Sequence, residues 1–418
     1  MVMKFGGTSV GDADRVKRAA GRIVDKREAG DRVVAVLSAR GKTTDELIAM
    51  AAEVSDRPDP REMDMLLSTG ERISCALCAM AINDLGHRAI SLTGSQAGIV
   101  TDTSHTKARI LDVRAERIRQ ALAEDAIVLV AGFQGVSTAH DVTTLGRGGS
   151  DTTAVAVAAA LGAQECEIYT DVAGVFSADP RIVPDARKLP AVSFEEMLEM
   201  SASGAGVLQL RAVEYARNHG VRIHCRSSFA DGPGTVVRAE SETMEQPSIT
   251  AVTHSTVEAR VTLVGVPDQP GTAARIFGAL ADANVNVDMI VQNEPNAAGG
   301  HAEIAFTVPR DDVRMARLAL EPMVGEIIGQ LTANENMGKV SIVGAGMRSH
   351  PGVAAKVFAV LGQERINIEM ISTSPIKISC VIAGEQVPRA VRALHSAFEL
   401  SGADTTRLEE PFAPRGTT

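Results

Sequence analysis

The stretch "LGRGGSDTTAVAVAAALG" occupies residues Leu145–Gly162. Gly146, Gly148 and Gly149 free the backbone to approach a ligand. Arg147 can grip a carboxylate through two parallel hydrogen bonds. Ser150 or Asp151 can cap a helix expected to begin near Thr152. A cap alone needs neither three glycines nor an arginine before it, so the stretch reads as a binding turn that opens a helix.

The elements on either side set its context. "RVVAVLSA" (32–39), "AIVLVAGF" (126–133) and "ECEIYTDV" (165–172) read as buried strands, while 14–30 and 113–125 read as helices with one apolar face. Continuous apolar strands alternating with helices give an α/β fold with a mostly parallel sheet covered on both faces. Ligands bind at the carboxyl ends of such strands. "RAESETMEQPSIT" (238–250) is polar, carries a proline and reads as a linker. Beyond it, "VTLVGVPDQPGTAARIFGALADANVNVDMI" (261–290) repeats as "VSIVGAGMRSHPGVAAKVFAVLGQERINIEMI" (340–371). Pro270-Gly271 align with Pro351-Gly352, Phe277 with Phe358, and Asn286 with Asn367. Each copy reads strand, Pro-Gly turn, helix, strand, so two small α+β modules follow the first half.

Composition bounds the function. The 418 residues call for two or three domains, and the net charge of −10 argues against nucleic acid or an anionic membrane as main partner. Cys75, Cys78, Cys166, Cys225 and Cys380 are odd in number and scattered, so no disulfide framework is expected. Cys75-x-x-Cys78 lies within a helical run and lacks a second pair, so no zinc site is expected. "MVMKFGG" is no signal peptide, and no apolar run approaches the roughly 20 residues of a membrane helix, so the cytoplasm is the expected location.

Three other motifs bear on chemistry. In "MKFGGTSVGDADRV" a strand ends at Lys4-Phe5, and Gly6-Gly7 lead toward a helix whose free N–H groups would attract phosphate. "YTDVAGVFSADPR" (169–181) sets Asp171, Asp179 and Arg181 around a tight turn after a strand, which suits an Mg-nucleotide. "LSTGERIS" (67–74) places Glu71 after Gly70; taken alone, such a glutamate is most often surface charge. Two imitations fail. Gly41-Lys42-Thr43 lacks the leading glycine of a P-loop, and "GRGGSD" carries Asp151 where a dinucleotide fingerprint needs glycine.

"KFGGTSV", "GERIS", "TGSQAG", "AGFQG", "TTLGRGGSDTTA", "YTDVAGVFSADPR" and "RSSF" together, in this order and over nearly the whole chain, resemble the aspartate kinases of the amino acid kinase superfamily. The similarity is greatest to the bacterial type regulated by lysine and threonine. The resemblance implies an amino acid kinase domain at 1–237, a linker at 238–250, and ACT domains at 251–332 and 333–418. It implies transfer of the γ-phosphoryl of ATP, with Mg²⁺, to the side-chain carboxylate of L-aspartate. Lys4 and Asp151 would be catalytic. Ser38, Thr44, Glu71, Arg147, Gly148, Gly149 and Ser150 would bind aspartate, Arg147 at its α-carboxylate and Glu71 at its ammonium. Lys4, Phe5, Gly6, Gly7, Thr170, Asp171, Phe176, Ser177, Ala178, Asp179, Pro180 and Arg181 would hold ATP.

In the repeats, Asp268, Gln269, Pro270, Gly271, Thr272, Ala273, Asn286 and Gln292 would form a lysine or threonine site, with Ala354, Asn367 and Ile368 as its facing wall. A homo-oligomer through the ACT domains is implied, with an α2β2 form if a small subunit starts at Met244. One position departs from the pattern: Gly206 stands where most of the family has a lysine. Arg211 is a candidate replacement cation. On that departure rests one other reading, a catalytically weakened amino-acid sensor; a related kinase acting on another acyl acceptor is a separate alternative.

Overall fold

In the computed structural model, residues 1–240, 249–293, 300–349 and 352–402 are described. Most of the expected linker, with Met244, lies outside them, as does Pro351. The chain divides into two compact units. The first comprises Met1–Val175, Lys188–Ala202 and the described residues from Gly206 to 240. The second comprises Phe176–Arg187, Ser203–Ala205 and the described residues from 249 onward.

The first unit is an α/β structure around an eight-stranded sheet. Its order is Ala191–Ser193, Thr235–Arg238, Arg222–Ser227, Glu165–Thr170, Val2–Phe5, Val34–Leu37, Ile127–Ala131, Ala89–Leu92. All pairings are parallel except that between Arg222–Ser227 and Thr235–Arg238. Val2–Phe5 is central, with Phe5 level with Leu37 on one side and Tyr169 on the other. The carboxyl ends of the central strands therefore finish at one level. A second, four-stranded sheet runs Ile110–Val113, Ile99–Thr101, Gln134–Ser137, Val142–Thr144.

Helix Ala13–Glu28 buries Val16, Ala19, Ala20, Ile23 and Val24, the stripe its period dictates. Cys75 and Cys78 lie in the same core, on helix Thr69–Asp84. All five cysteines are buried and free, and burial pushes the Cys78 and Cys225 thiols up to about 12. Among the described residues, Pro60–Asp84 is the one helical stretch long and apolar enough to cross a membrane by composition. The sequence reading did not anticipate such a stretch. Half of its most apolar window is buried inside the protein, as in a core helix.

The second unit is built on a six-stranded sheet in the order Asp288–Asn293, His301–Pro309, Ala251–Pro267, Gln330–Val343, Lys377–Ala383, Met370–Ser374. The repeat is visible in the backbone. Gly271 and Gly352 both take left-handed conformations, φ 94° and 100°, before helices Thr272–Asp282 and Val353–Gln363. Asn284 and Arg365 repeat the left-handed turn after those helices, at φ 56° and 54°. Each copy has its own core: Leu263, Ile276 and Phe306 in one, Ile342, Val357 and Leu394 in the other. Strand Ala251–Pro267 serves both copies. Val252 packs in the later copy's core, Val261 and Leu263 in the earlier one.

Candidate active site

The site of the first unit grows from turns at the carboxyl ends of the central strands. Lys4 lies near the end of its strand, and its Nζ is 2.6 Å from Asp151 Oδ1, with both side chains about nine-tenths buried. Helix Gly149–Ala160 carries Asp151, and every residue from Gly149 to Ala158 is buried. That helix begins three residues earlier than the sequence reading placed it. Its cap is Gly148, at φ 72°, and no side chain caps it. Asp151 is therefore in the first turn, and its partner is the lysine rather than a backbone amide.

Gly7 is required by contact: a Cβ there would lie 2.8 Å from the Ala39 carbonyl oxygen. Gly6 donates to Tyr169 O and Gly41 to Gly7 O, which ties this turn to its neighbours. The turn leads into a short 3-10 segment, Gly7–Val10, and the following helix is capped by the Asp12 carboxylate, which accepts from Arg15 N. The expected phosphate site at that helix start is thus corrected: Asp12 occupies it, leaving Lys4 and the Gly6-Gly7 turn as the anion-attracting groups. Phe5 is buried and stacked on Tyr169 with ring centroids 4.8 Å apart, and its carbonyl accepts from Ser38 N, so it shapes the turn from beneath.

Glu71 is 3% exposed, which overturns its reading as surface charge. Its Oε1 accepts from Ala39 N at 3.1 Å, while Oε2 is buried with no hydrogen-bond partner among the described residues. Burial raises its pKa to about 7. Gly70 permits the approach, since a Cβ there would meet Ala39 Cβ at 2.8 Å. Ser38 and Thr44 are half-buried, the first in the turn after strand Val34–Leu37 and the second in the first turn of helix Thr43–Val54.

Arg147 is exposed, and no ion pair or hydrogen bond engages its side chain among the described residues. The turn beneath it is crowded. A Cβ on Gly148 would overlap Gln209, and one on Gly149 would meet Leu145 Cβ at 2.7 Å. Ser150 is buried, and a Cβ on Gly132 would lie 2.8 Å from its Oγ. Phe133, next to Gly132, sits at φ 67°, a strained conformation for a bulky residue. It is held there by N–H donation to Thr153 Oγ1 and acceptance from Leu145 N.

Not all expected ATP residues belong to this unit. Thr170 ends strand Glu165–Thr170, and its hydroxyl donates to Asp171 at 3.1 Å. Phe176, Ser177, Ala178, Asp179, Pro180 and Arg181 belong to the second unit. There Phe176 and Ala178 pack in the hydrophobic core. Ser177 is fully buried; its Oγ lies 2.9 Å from His395 Nε2 and donates to Leu400 O. Asp179 pairs with Arg181.

Arg211 does not act as a free cation in place of the family lysine. Its guanidinium donates to Leu145 O at 2.7 Å and Ala108 O at 3.0 Å, and Gly206 is exposed.

In the second unit, Asp268, Gln269, Pro270, Gly271, Thr272, Ala273 and Gln292 line a cavity of about 320 Å³. Gln292 Nε2 donates to Asp268 Oδ1 at 3.4 Å. Asn286, Ala354, Asn367 and Ile368 do not line it. Asn286 is exposed ahead of strand Asp288–Asn293, and Asn367 donates to Glu369. Ala354 and Ile368 pack on the later copy's core.

Sequence reasoning missed Asp64, which is fully buried under the Arg147 turn. It lies three residues before Leu67 on the buried stripe of helix Pro60–Leu67. A carboxylate at an apolar position was the available signal.

Comparison with known proteins agrees with this architecture. Residues 1–227 match the amino acid kinase family, and residues 261–322 and 340–398 match the ACT domain. An aspartokinase of Mycolicibacterium smegmatis is 56% identical over 97% of both chains. An aspartokinase of Corynebacterium glutamicum is 52% identical, again over 97% of both. E. coli aspartokinase III, solved with aspartate and ADP in its R-state, superposes with a TM-score of 0.82 at 26% identity, covering 95% of this chain and 99% of that one. The same E. coli enzyme with lysine and aspartate, in its T-state, gives 0.72. The chain belongs to the aspartokinase family, enzymes that join an amino acid kinase domain to ACT domains.

Proposed function

We propose that the protein transfers the γ-phosphoryl of Mg-ATP to the β-carboxylate of L-aspartate, giving 4-phospho-L-aspartate, under feedback control by lysine, threonine or both. The observation that carries the choice of acceptor is Glu71 Oε2, a buried carboxylate oxygen lacking a partner. Such an atom is costly unless a ligand supplies a donor. The ammonium of a free amino acid is that donor. Arg147, exposed and unengaged, suits the α-carboxylate, with Ser38, Thr44 and Ser150 as hydroxyls at the same set of turns.

The chemistry asks the protein for placement and charge. A β-carboxylate oxygen attacks the γ-phosphorus, the bond to the bridging oxygen breaks, and ADP leaves. The acceptor is already ionised at neutral pH, so no general base is required. Lys4 offsets negative charge on the transferring group, and Asp151 fixes its ammonium at 2.6 Å. Gly6 and Gly7 let a phosphate approach bare backbone. Asp171 offers a carboxylate beside the nucleotide's Mg²⁺, which enters as part of the substrate.

The cavity at Asp268–Ala273 and Gln292 suits a small zwitterion, with the Asp268 carboxylate for its ammonium. Ile290 and Ile371, at equivalent places in the two edge strands of the six-stranded sheet, are about half exposed and support pairing with a second copy. Gly206 is the one feature that speaks for the sensor reading, and the Lys4–Asp151 pair speaks against it.

The test is ATP-dependent aspartyl-hydroxamate formation by purified protein with Mg²⁺, with and without lysine plus threonine. Activity with aspartate that the effectors suppress is the expected result. Binding of either effector without any activity would overturn the kinase reading.

A further inference from the structure

Asp64 is fully buried, yet three groups from two separate segments close on its carboxylate. His105 Nδ1 lies 2.7 Å from Oδ2, Thr106 N donates at 3.1 Å, and Thr144 Oγ1 donates to Oδ1 at 2.5 Å. An ionised carboxylate only accepts, so the His105 proton facing it is on Nδ1. Thr144 closes the strand that runs into Leu145-Gly146-Arg147. Thr106 O lies under Gly146, 3.3 Å from where a Cβ would stand. On the other side of the same turn, Arg211 grips Leu145 O and Ala108 O, and Ala108 N donates to Thr144 O. The base of the turn is clamped from both sides, and its tip, Arg147, is left exposed.

We infer that Asp64 is a positioning residue for amino-acid binding, acting through Thr144 and Thr106 to hold the turn that presents Arg147. The inference rests on the reading of Arg147 as the α-carboxylate ligand. Asp64 touches no reacting group. Replacing it with Asn turns one acceptor into a donor that faces the Thr106 amide in either orientation, with His105 Nδ1 or the Thr144 hydroxyl beside it, which weakens the hold on the turn without changing its sequence.

The experiment measures kcat/KM for aspartate, KM for ATP and the melting temperature in wild type, D64N, T144V, R147A and the double variant D64N/R147A. T144V removes one bond in a near-isosteric way and serves if D64N does not fold. D64N is expected to lower kcat/KM for aspartate about tenfold, and T144V about threefold, with KM for ATP within about twofold of wild type. R147A is expected to lower it about a hundredfold, with little further loss on adding D64N, because the two act in series. A D64N penalty of equal size in the R147A background would overturn the positioning role, as would unchanged aspartate kinetics in D64N and T144V. An R147A variant with unchanged aspartate kinetics would instead overturn the reading of Arg147 itself, and with it this inference.

Discussion

Asp64 and Glu71 lie on consecutive helices of the first unit and are almost equally buried, yet their surroundings are opposite. The Asp64 site is saturated: His105, Thr106 and Thr144, from two segments, close on one carboxylate. The Glu71 site is half-filled: Ala39 N reaches Oε1, and Oε2 has no partner among the described residues. Burial without full pairing raises Glu71 to a pKa of about 7. A saturated buried carboxylate has its work inside the protein. A half-filled one keeps a place for a ligand. The Lys4–Asp151 pair stands between them: Asp151 Oδ1 faces the Lys4 ammonium at 2.6 Å, a cation the proposed reaction also needs, but makes no hydrogen bond among the described residues.

The sharpest test of that middle case is removal of the cation. Lys4→Met is expected to lower kcat by about a thousandfold, since a charge-stabilising donor at the transferring group is lost. Hydroxamate formation at saturating aspartate and ATP measures it. A drop of less than about tenfold would place Lys4 with the structural ion pairs instead.

Glu71→Gln separates ligand affinity from stability in one substitution. The ammonium partner is lost, so kcat/KM for aspartate is expected to fall about a hundredfold. The same change removes an incompletely paired buried charge, so the melting temperature at pH 8 is expected to rise. Asp64→Asn is expected to lower it. Calorimetry on the two variants side by side checks the contrast. A fall in both would mean that Glu71 is as fully paired as Asp64.

A third carboxylate, Asp268, is exposed at the rim of a cavity, and among the described residues its side chain is bonded only at long range, by Gln292. Asp268→Asn is expected to raise the half-inhibitory concentration of lysine plus threonine about tenfold while leaving uninhibited kcat unchanged. Titration of initial rates with the effector pair checks it. Unchanged inhibition would move the effector site away from the Asp268–Ala273 turn.

Much of this was legible from the chain. The parallel sheet followed from apolar runs at 32–39, 126–133 and 165–172, because strands buried on both faces cannot alternate. The repeat followed from two Pro-Gly pairs at matched spacing, and Gly271 and Gly352 both take the left-handed backbone that glycine allows. The role of Asp151 was half-legible. Its place beside a helix start was visible, but its pairing with Lys4 spans most of the domain, and no local rule encodes that. Glu71 taken alone passed for surface charge, and only the resemblance marked it as a ligand, because its burial depends on Ala39 and Gly70 meeting in space. Phe176–Arg181 follow a kinase strand in sequence, yet Ala178 and Val183 pack with Val252 and Leu361. Tertiary packing assigned that segment, and the motif alone could not.

The smallest effect probes the Glu71 site without any ligand. A carboxyl whose folded pKa is about 7, against an ordinary 4.5, holds its proton more tightly when folded. Between those two pH values the folded state binds the extra proton, so its stability falls as pH rises through the window and levels off above 7. The full difference is about 3 kcal/mol. Wild type and E71Q are therefore expected to melt together near pH 5 and to separate as pH rises to 8, with E71Q the more stable. Saturating aspartate should narrow the gap, because its ammonium pairs the charge that burial penalises. If the two melting curves stay parallel from pH 5 to 8, Glu71 is not the half-filled member of the comparison, and its free oxygen is satisfied within the protein.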